Sequence, residues 1–200
     1  MWDERYAAEE YAYGTEPNDF LKNMIEQVPS GRVLCVAEGE GRNAVFLAEH
    51  GYHVTAIDAS AVGLEKANKL AAQRKVTINT ECHDLTEYMF PKDAYSGVVS
   101  IFCHLPPEAR KRLHKKLVET LLPGGVLVLE AYTPEQLKYK TGGPPVEEMA
   151  MTLSALKQEL KGLEFVHAKE LVREVVEGKY HTGTGAVVQI IAVKPKGSSD

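Results

Sequence analysis

Long apolar runs are missing from this chain: nothing in its 200 residues approaches the ~20 consecutive apolar residues that a membrane-spanning helix needs. Cysteine is scarce. Cys35, Cys82 and Cys103 show neither disulfide-type nor metal-type spacing, so they read as reduced, buried thiols and no metal is expected. Positive charge is short as well. Lys and Arg number 23 against 28 Asp and Glu, and the net charge of −5 argues against nucleic acid as the main partner. The basic run Arg110-Lys111-Arg112-Leu113-His114-Lys115-Lys116 is local, and its apolar members sit at helical spacing, as on a solvated helix face. Repeats are absent. The opening residues, Met1-Trp2-Asp3-Glu4-Arg5, are too acidic and polar for a signal peptide, so a cytoplasmic protein with no membrane partner is expected.

What is present suits one domain with a full core: 44% of residues are hydrophobic and 26% charged. The chain is organised around Val33-Leu34-Cys35-Val36-Ala37-Glu38-Gly39-Glu40-Gly41-Arg42-Asn43. Residues 33–37 carry no charge, as a strand covered on both faces requires. Gly39 and Gly41 can take positive φ and let a ligand approach the backbone. The helix that follows is expected to turn unpaired amides toward the cavity, a place for an anionic ligand group.

Alternation then sets in. An N-terminal helix carries Phe20, Leu21, Met24, Ile25 and Val28, with Asn18 or Asp19 as its cap. The helix after the glycine turn runs over about 42–50 and ends at Gly51. Strands are predicted over 54–57, 76–82, 97–102 and 126–130. Between them lie a helix from the Ser60 cap to about 74 and another from Pro106-Pro107 bearing Leu113, Leu117 and Leu121. Pro123-Gly124-Gly125 is expected to break that helix before the fifth strand. Such alternation means a parallel, doubly wound sheet. The last third differs. Residues 133–147 contain Gly142-Gly143-Pro144-Pro145 and read as an exposed loop. Met149, Leu153, Leu156 and Leu160 mark one more helix. Residues 171–176 and 186–193 then form an antiparallel hairpin about a glycine turn. The expected fold is α/β, a Rossmann-like seven-stranded sheet with helices on both faces. A single domain spans 1–195: a lid and helix over 1–28, a cofactor core over 31–135, a C-terminal helix and hairpin over 136–195. A disordered tail is expected over 196–200.

Ligands of open α/β sheets bind across the carboxyl ends of the strands. The Gly39/Gly41 turn, Asp58 and Asp84 fall on that edge in order. Asp58 lies 17 residues after Gly41, near the ~20 expected of an acid that accepts hydrogen bonds from ribose hydroxyls. A carboxylate at position 84 can accept from the adenine amine while the Leu85 amide donates to a ring nitrogen. Each has a plainer reading, Asp58 as a turn acid and Asp84 as an Asx-turn.

The ordered stretches 33–43, Ala56-Ile57-Asp58-Ala59-Ser60, Asp84-Leu85 and Leu121-Leu122-Pro123-Gly124-Gly125 resemble the motifs of class I S-adenosylmethionine-dependent methyltransferases. The likeness runs over about residues 30–135, and the hairpin fits that family's sheet. Trp2, Arg5-Tyr6 and Tyr13-Gly14-Thr15-Glu16-Pro17-Asn18, with Gly41-Arg42-Asn43, are similar to its tellurite-resistance and thiopurine methyltransferase branch. The resemblance implies S-adenosylmethionine as cofactor. It sets Gly39 and its neighbours against the methionine part, Asp58 on the ribose and Asp84 with Leu85 on the adenine, and counts Ala37, Glu38, Gly41, Arg42, Ala59 and Ile101 among the cofactor-binding residues. The implied activity is methyl transfer to a small molecule, a thiol or an oxyanion such as tellurite among the candidates.

The chain departs from the family pattern at Cys35, where an acid is usual, at Ala37, where glycine is usual, and at Tyr95-Ser96. Glu38 is the expected replacement for the acid missing at 35. Catalytic candidates are His104, at the end of the fourth strand, and Tyr6 and Tyr13 in the lid. The plainer readings are a structural histidine beside the Pro106-Pro107 turn and ordinary packing of the tyrosines. Two rival functions stay open: a nicotinamide-dependent oxidoreductase, because Gly39-Glu40-Gly41-Arg42-Asn43-Ala44 also fits the dinucleotide pattern, and a protein that binds S-adenosylmethionine without turnover.

Overall fold

The first strand, β1 (Arg32–Val36), shows why this sequence forms a buried sheet. Val33 and Cys35 pack into one hydrophobic layer and Leu34 and Val36 into the other, so every residue after Arg32 is covered. The computed structural model describes residues 2–197. The other strands are β2 (His53–Asp58), β3 (Asn79–Cys82), β4 (Tyr95–Ile101), β5 (Leu121–Tyr132), β6 (Glu164–Glu177) and β7 (His181–Val193). They form one seven-stranded sheet in the order β3-β2-β1-β4-β5-β7-β6. The first five strands are parallel, and β7 runs antiparallel to both β5 and β6.

Helices cover both faces. α1 (Trp2–Tyr6) lies outside the layers, as part of a strap over the carboxyl edge. α2 (Asp19–Met24), α3 (Arg42–Glu49) and α4 (Ala61–Gln73) supply Leu21, Leu47 and Leu70 to the face of Val33. α5 (Pro107–Thr120) and α6 (Leu153–Glu159) set Leu113, Leu117 and Leu156 on the other face. Caps fix three starts: the Asn18, Ser60 and Thr152 side chains accept the N–H groups of Leu21, Gly63 and Ala155. Arg110 and His114 of α5 both grip Glu159 of α6, at 2.9 and 2.6 Å. Among the described residues no helix is long and apolar enough to cross a membrane.

Several expectations are corrected. β5 does not wait for Val126. Leu121 already pairs with Tyr95, and Gly124, at φ +83°, lets the strand continue through Pro123-Gly124-Gly125 by an irregularity in register. β3 is shorter than expected and begins at Asn79, whereas β6 begins at Glu164 rather than 171. Long polar stretches of β6 are strand because it is an edge partner of β7, which periodicity alone does not reveal. Cys82 is exposed at the end of edge strand β3, while Cys35 and Cys103 are buried; all are free thiols. Residues 133–147 are largely exposed, as expected of a loop, and are pinned by buried Gln136, which accepts the Ala186 N–H and donates to Thr141 and Gly142. Of the expected tail over 196–200, residues 198–200 lie outside the described residues.

Candidate active site

Parallel pairing brings the ends of β1, β2 and β4 side by side, with Val36 opposite Ile57 and Ser100. The turn leaving β1 is left-handed at Ala37, Gly39 and Gly41, with φ of +51°, +61° and +89°. Glu38 bends back so that its Oε1 accepts the N–H groups of Asn43 (3.0 Å) and Ala44 (2.7 Å) at the start of α3. This corrects the expectation of free amides there. The helix N-terminus is already capped by a protein carboxylate, so the spot no longer favours an anion. Burial pushes the Glu38 carboxyl up to about 7, against the pull of those amides and Arg42. Burial, then Glu38, also drives the Cys35 thiol well up.

Asp58 closes the turn from the second strand. Its Oδ2 accepts the Gly39 N–H and its Oδ1 accepts the Ser60 N–H, both at 2.8 Å. Burial raises its pKa while those N–H groups work to lower it. The Ala59 N–H also acts on this carboxylate, and of its roughly four lone-pair sites at least one remains for a ligand. Asp84 is exposed, and its Oδ1 accepts from the N–H and hydroxyl of Thr86, an Asx-turn. Those bonds hold its carboxyl below the ordinary range. Asp84 and half-buried Leu85 follow β3, next along the edge from Asp58, and Ile101 is buried at the end of β4.

A strap of N-terminal residues lies across this edge. The Tyr6 ring covers the glycine turn: a Cβ on Gly39 would stand 2.6 Å from the Tyr6 hydroxyl, and one on Gly63 would stand 2.9 Å from its ring. Trp2 stacks on Tyr6, and Asp3 accepts the Ser60 hydroxyl at 2.5 Å. Lys66 ties the strap down by donating to the carbonyls of Ala8 (2.9 Å) and Glu10 (2.7 Å). Glu40, in the glycine turn, pairs with Lys66 at 2.5 Å and accepts the Ala12 N–H at 2.8 Å. Burial raises the Tyr6 phenol, with Asp58 adding to the effect.

Beyond Tyr6 the strap meets the tip of the C-terminal hairpin. A Cβ on Gly178 would stand 2.5 Å from the Ala12 carbonyl and from Tyr13, and the Lys179 N–H donates to Ala12 at 3.0 Å. His181 packs against Tyr13, Phe102 and Tyr132, with centroids 4.6, 5.0 and 5.3 Å apart. Behind it Glu177 is held by Arg42 (2.6 Å) and Asn18 (2.7 Å). Burial alone would raise the Glu177 carboxyl, but His181, Arg42 and Asn18 bring it down to about 2. Asn18 also reaches buried Glu130, which pairs with Arg173 and accepts from Gln189.

Sequence-predicted residues 37–39, 41, 58, 59 and Tyr6 thus meet at one place. Tyr13 sits 6.4 Å from Tyr6, ring to ring, on the hairpin side. The Arg42 guanidinium is turned away from the turn, toward Glu177. His104 is engaged by backbone on both ring nitrogens: Nδ1 faces the Met149 carbonyl at 3.0 Å, and Nε2 accepts the Tyr132 N–H at 3.2 Å. Burial lowers its pKa to about 4, so it is a neutral, structural imidazole. Sequence reading missed Lys66, Glu177 and His181. Lys66 had a signal, a lysine on the apolar stripe Leu64–Ala67–Leu70. His181 had none, since its setting is made by residues far away in the chain.

A family model described as a methyltransferase domain matches residues 33–125. The chain is 25% identical over 138 residues to the 2-heptyl-1-hydroxyquinolin-4(1H)-one methyltransferase of Mycobacteroides abscessus, covering 66% of this chain. It spans 61% of that relative's length. Among solved structures it is similar to the N-methyltransferase NodS of Bradyrhizobium japonicum in complex with S-adenosyl-L-homocysteine, at TM-score 0.73 and 15% identity, over 96% of each chain. It is also similar to TehB of Haemophilus influenzae, at TM-score 0.70 and 20% identity, over 96% of this chain and 65% of that one.

Proposed function

We infer that this chain, which belongs to the class I S-adenosylmethionine-dependent methyltransferases, transfers the methyl group of that cofactor to a small-molecule acceptor. The observation that carries the reading is the Asp58 carboxylate spanning Gly39 and Ser60 at the end of β2. It leaves acceptor capacity for a ribose diol beside a turn with no side chain at Gly39.

The donor set suits the cofactor. The absence of a side chain at Gly39 and Gly63 makes room for the Tyr6 ring, which covers the turn as a lid would. Glu40 is matched by Lys66, so the negative charge left at the turn comes from buried Asp58 and the ionised fraction of Glu38, which favours a ligand bearing a sulfonium and an ammonium group. Asp58 and Ala59 would hold the ribose. Ala37, Glu38, Gly41 and the Arg42 backbone would border the methionine part. Asp84, Leu85 and Ile101 would border the adenine. When bound, S-adenosylmethionine supplies a methyl group already activated by its sulfonium. The protein's share is then alignment and exclusion of water, for which Tyr6 and Tyr13 on the strap are placed. On this reading residues 1–28 close the site, 31–135 hold the cofactor and 136–195 complete the acceptor side of one cytoplasmic domain over 1–195. The resemblance in the N-terminal motifs suggests a thiol, or an oxyanion such as tellurite, as the acceptor. The Mycobacteroides relative is named for a 1-hydroxyquinolone.

Calorimetric titration with S-adenosylmethionine, S-adenosylhomocysteine and NADH tests the reading. Binding of the adenosyl compounds, lost in Asp58→Ala, is expected; binding of NADH alone overturns it. Formation of S-adenosylhomocysteine with thiols, tellurite and aromatic hydroxyls then separates an enzyme from a binding protein. Binding without turnover of any acceptor would favour the latter.

A further inference from the structure

The geometry points to His181, faced by Glu177, as the catalytic base for an aromatic hydroxyl or thiol acceptor lying against Phe102, Tyr132 and Tyr13. This rests on the methyltransferase reading. The hairpin register sets His181 directly opposite Glu177, and the tight turn between them is wedged against residues 12–13 of the strap. His181 is therefore fixed where strap, β4 end and hairpin meet, against Tyr13, whose ring lies 6.4 Å from that of Tyr6. Its Nδ1 is buried with no hydrogen-bond partner and lies 3.9 Å from Glu177 Oε2. At that distance Glu177 faces Nδ1 as a charge rather than as a hydrogen-bond acceptor and favours a proton there, and in the proposed step the Nε2 lone pair takes the acceptor's proton.

The walls define the acceptor. Phe102 stacks on Tyr132 at 4.4 Å, and both present edges or faces to His181. Such a setting suits a flat ring. The charged groups facing His181 are Glu177 from β6, Arg42 from α3 and Arg5 from α1, with Tyr13, Tyr132 and His104 as titratable neighbours. Burial keeps the imidazole below its ordinary pKa despite Glu177, so it is a free base near neutral pH. In the proposed step the acceptor's O–H or S–H bond breaks, its electron pair stays on oxygen or sulfur, and the proton binds Nε2. The imidazolium formed is balanced by Glu177. The freed pair makes the new bond to the methyl carbon, and the carbon–sulfonium pair remains on the departing sulfur. The proton then leaves His181 for solvent. Glu177 acts through His181 and is a positioning residue.

The test uses the whole protein loaded with S-adenosylhomocysteine, and 4-nitrophenol, whose colour reports its ionisation. Below its own pKa, the bound probe is expected to be more ionised than in solution. His181→Asn and His181→Gln should abolish that excess while changing S-adenosylhomocysteine affinity by less than about two-fold, since the bases of the two subsites are separate. NMR titration of the His181 ring should show its pKa falling further in Glu177→Gln. With S-adenosylmethionine, His181→Gln should slow transfer to an aromatic hydroxyl by roughly 100-fold or more, and much less for a fully ionised aromatic thiolate. No excess ionisation in the wild type, or equal losses for hydroxyl and thiolate, overturns the assignment while leaving the cofactor reading intact. Failure of S-adenosylhomocysteine to bind the wild type removes both.

Discussion

Glu40 and Lys66, 26 positions apart, form a buried ion pair at 2.5 Å that fastens the N-terminal strap to the glycine turn. Each member also holds strap backbone: Glu40 the Ala12 N–H, Lys66 the carbonyls of Ala8 and Glu10. The pair therefore couples the cover of the site to its floor.

Lys66→Met should release that cover and leave the Glu40 charge buried alone, at a cost of about 3–5 kcal/mol. Urea unfolding measures the loss. Stopped-flow fluorescence of Trp2, which stacks on Tyr6, should show S-adenosylhomocysteine associating and dissociating several-fold faster. Unchanged kinetics would mean that the strap does not gate the site.

Asp58→Asn preserves size but loses the charge and one oxygen acceptor. Hydrogen bonds to a charged group contribute about 1.5–3 kcal/mol, so S-adenosylhomocysteine affinity should fall roughly 10- to 100-fold. Calorimetry reads this directly. An unchanged affinity would show that Asp58 serves only the Gly39 and Ser60 amides.

Glu38 gives stability a pH dependence opposite to that of most acids. Its folded pKa, about 7, is above the ordinary 4.5, so the folded state holds the proton more tightly. Its contribution is fully present below about pH 4.5 and is lost as pH rises through about 7, some 3 kcal/mol in all. Chemical unfolding should show wild type losing stability relative to Glu38→Gln over that interval. Because a cationic ligand favours the ionised carboxylate, S-adenosylmethionine binding near neutral pH should release a proton, detected as a dependence of calorimetric heat on buffer.

Ala37 holds φ +51°, a conformation that costs an L-residue about 1–2 kcal/mol. Ala37→Gly removes that strain, offset by about 0.4–1 kcal/mol from the looser unfolded chain. The variant should be stabilised by up to about 1 kcal/mol in urea unfolding. A loss of stability would mean that the Ala37 methyl is needed for packing.

The sequence by itself determined the strand–turn–helix at 33–49, the alternation of elements and the helix cap at Ser60, because each depends on residues within a turn or a period of one another, and it narrowed the first cap to Asn18 or Asp19, of which the structure uses Asn18. It also placed Asp58 at its strand end, since a charged residue ends a run buried on both faces. Local pattern misjudged β5, whose path through Pro123-Gly124-Gly125 is set by pairing with Tyr95 and β7. It also expected open amides at α3, which Glu38 caps by a reach no periodicity encodes. His104 stood open between a proton contact and a structural histidine until Met149 and Tyr132 were seen to occupy both its nitrogens. His181 looked like a turn residue until folding set it against Tyr13, Phe102 and Glu177. Burial and distant partners decide what a titratable side chain can do, and both exist only once the chain has closed on itself.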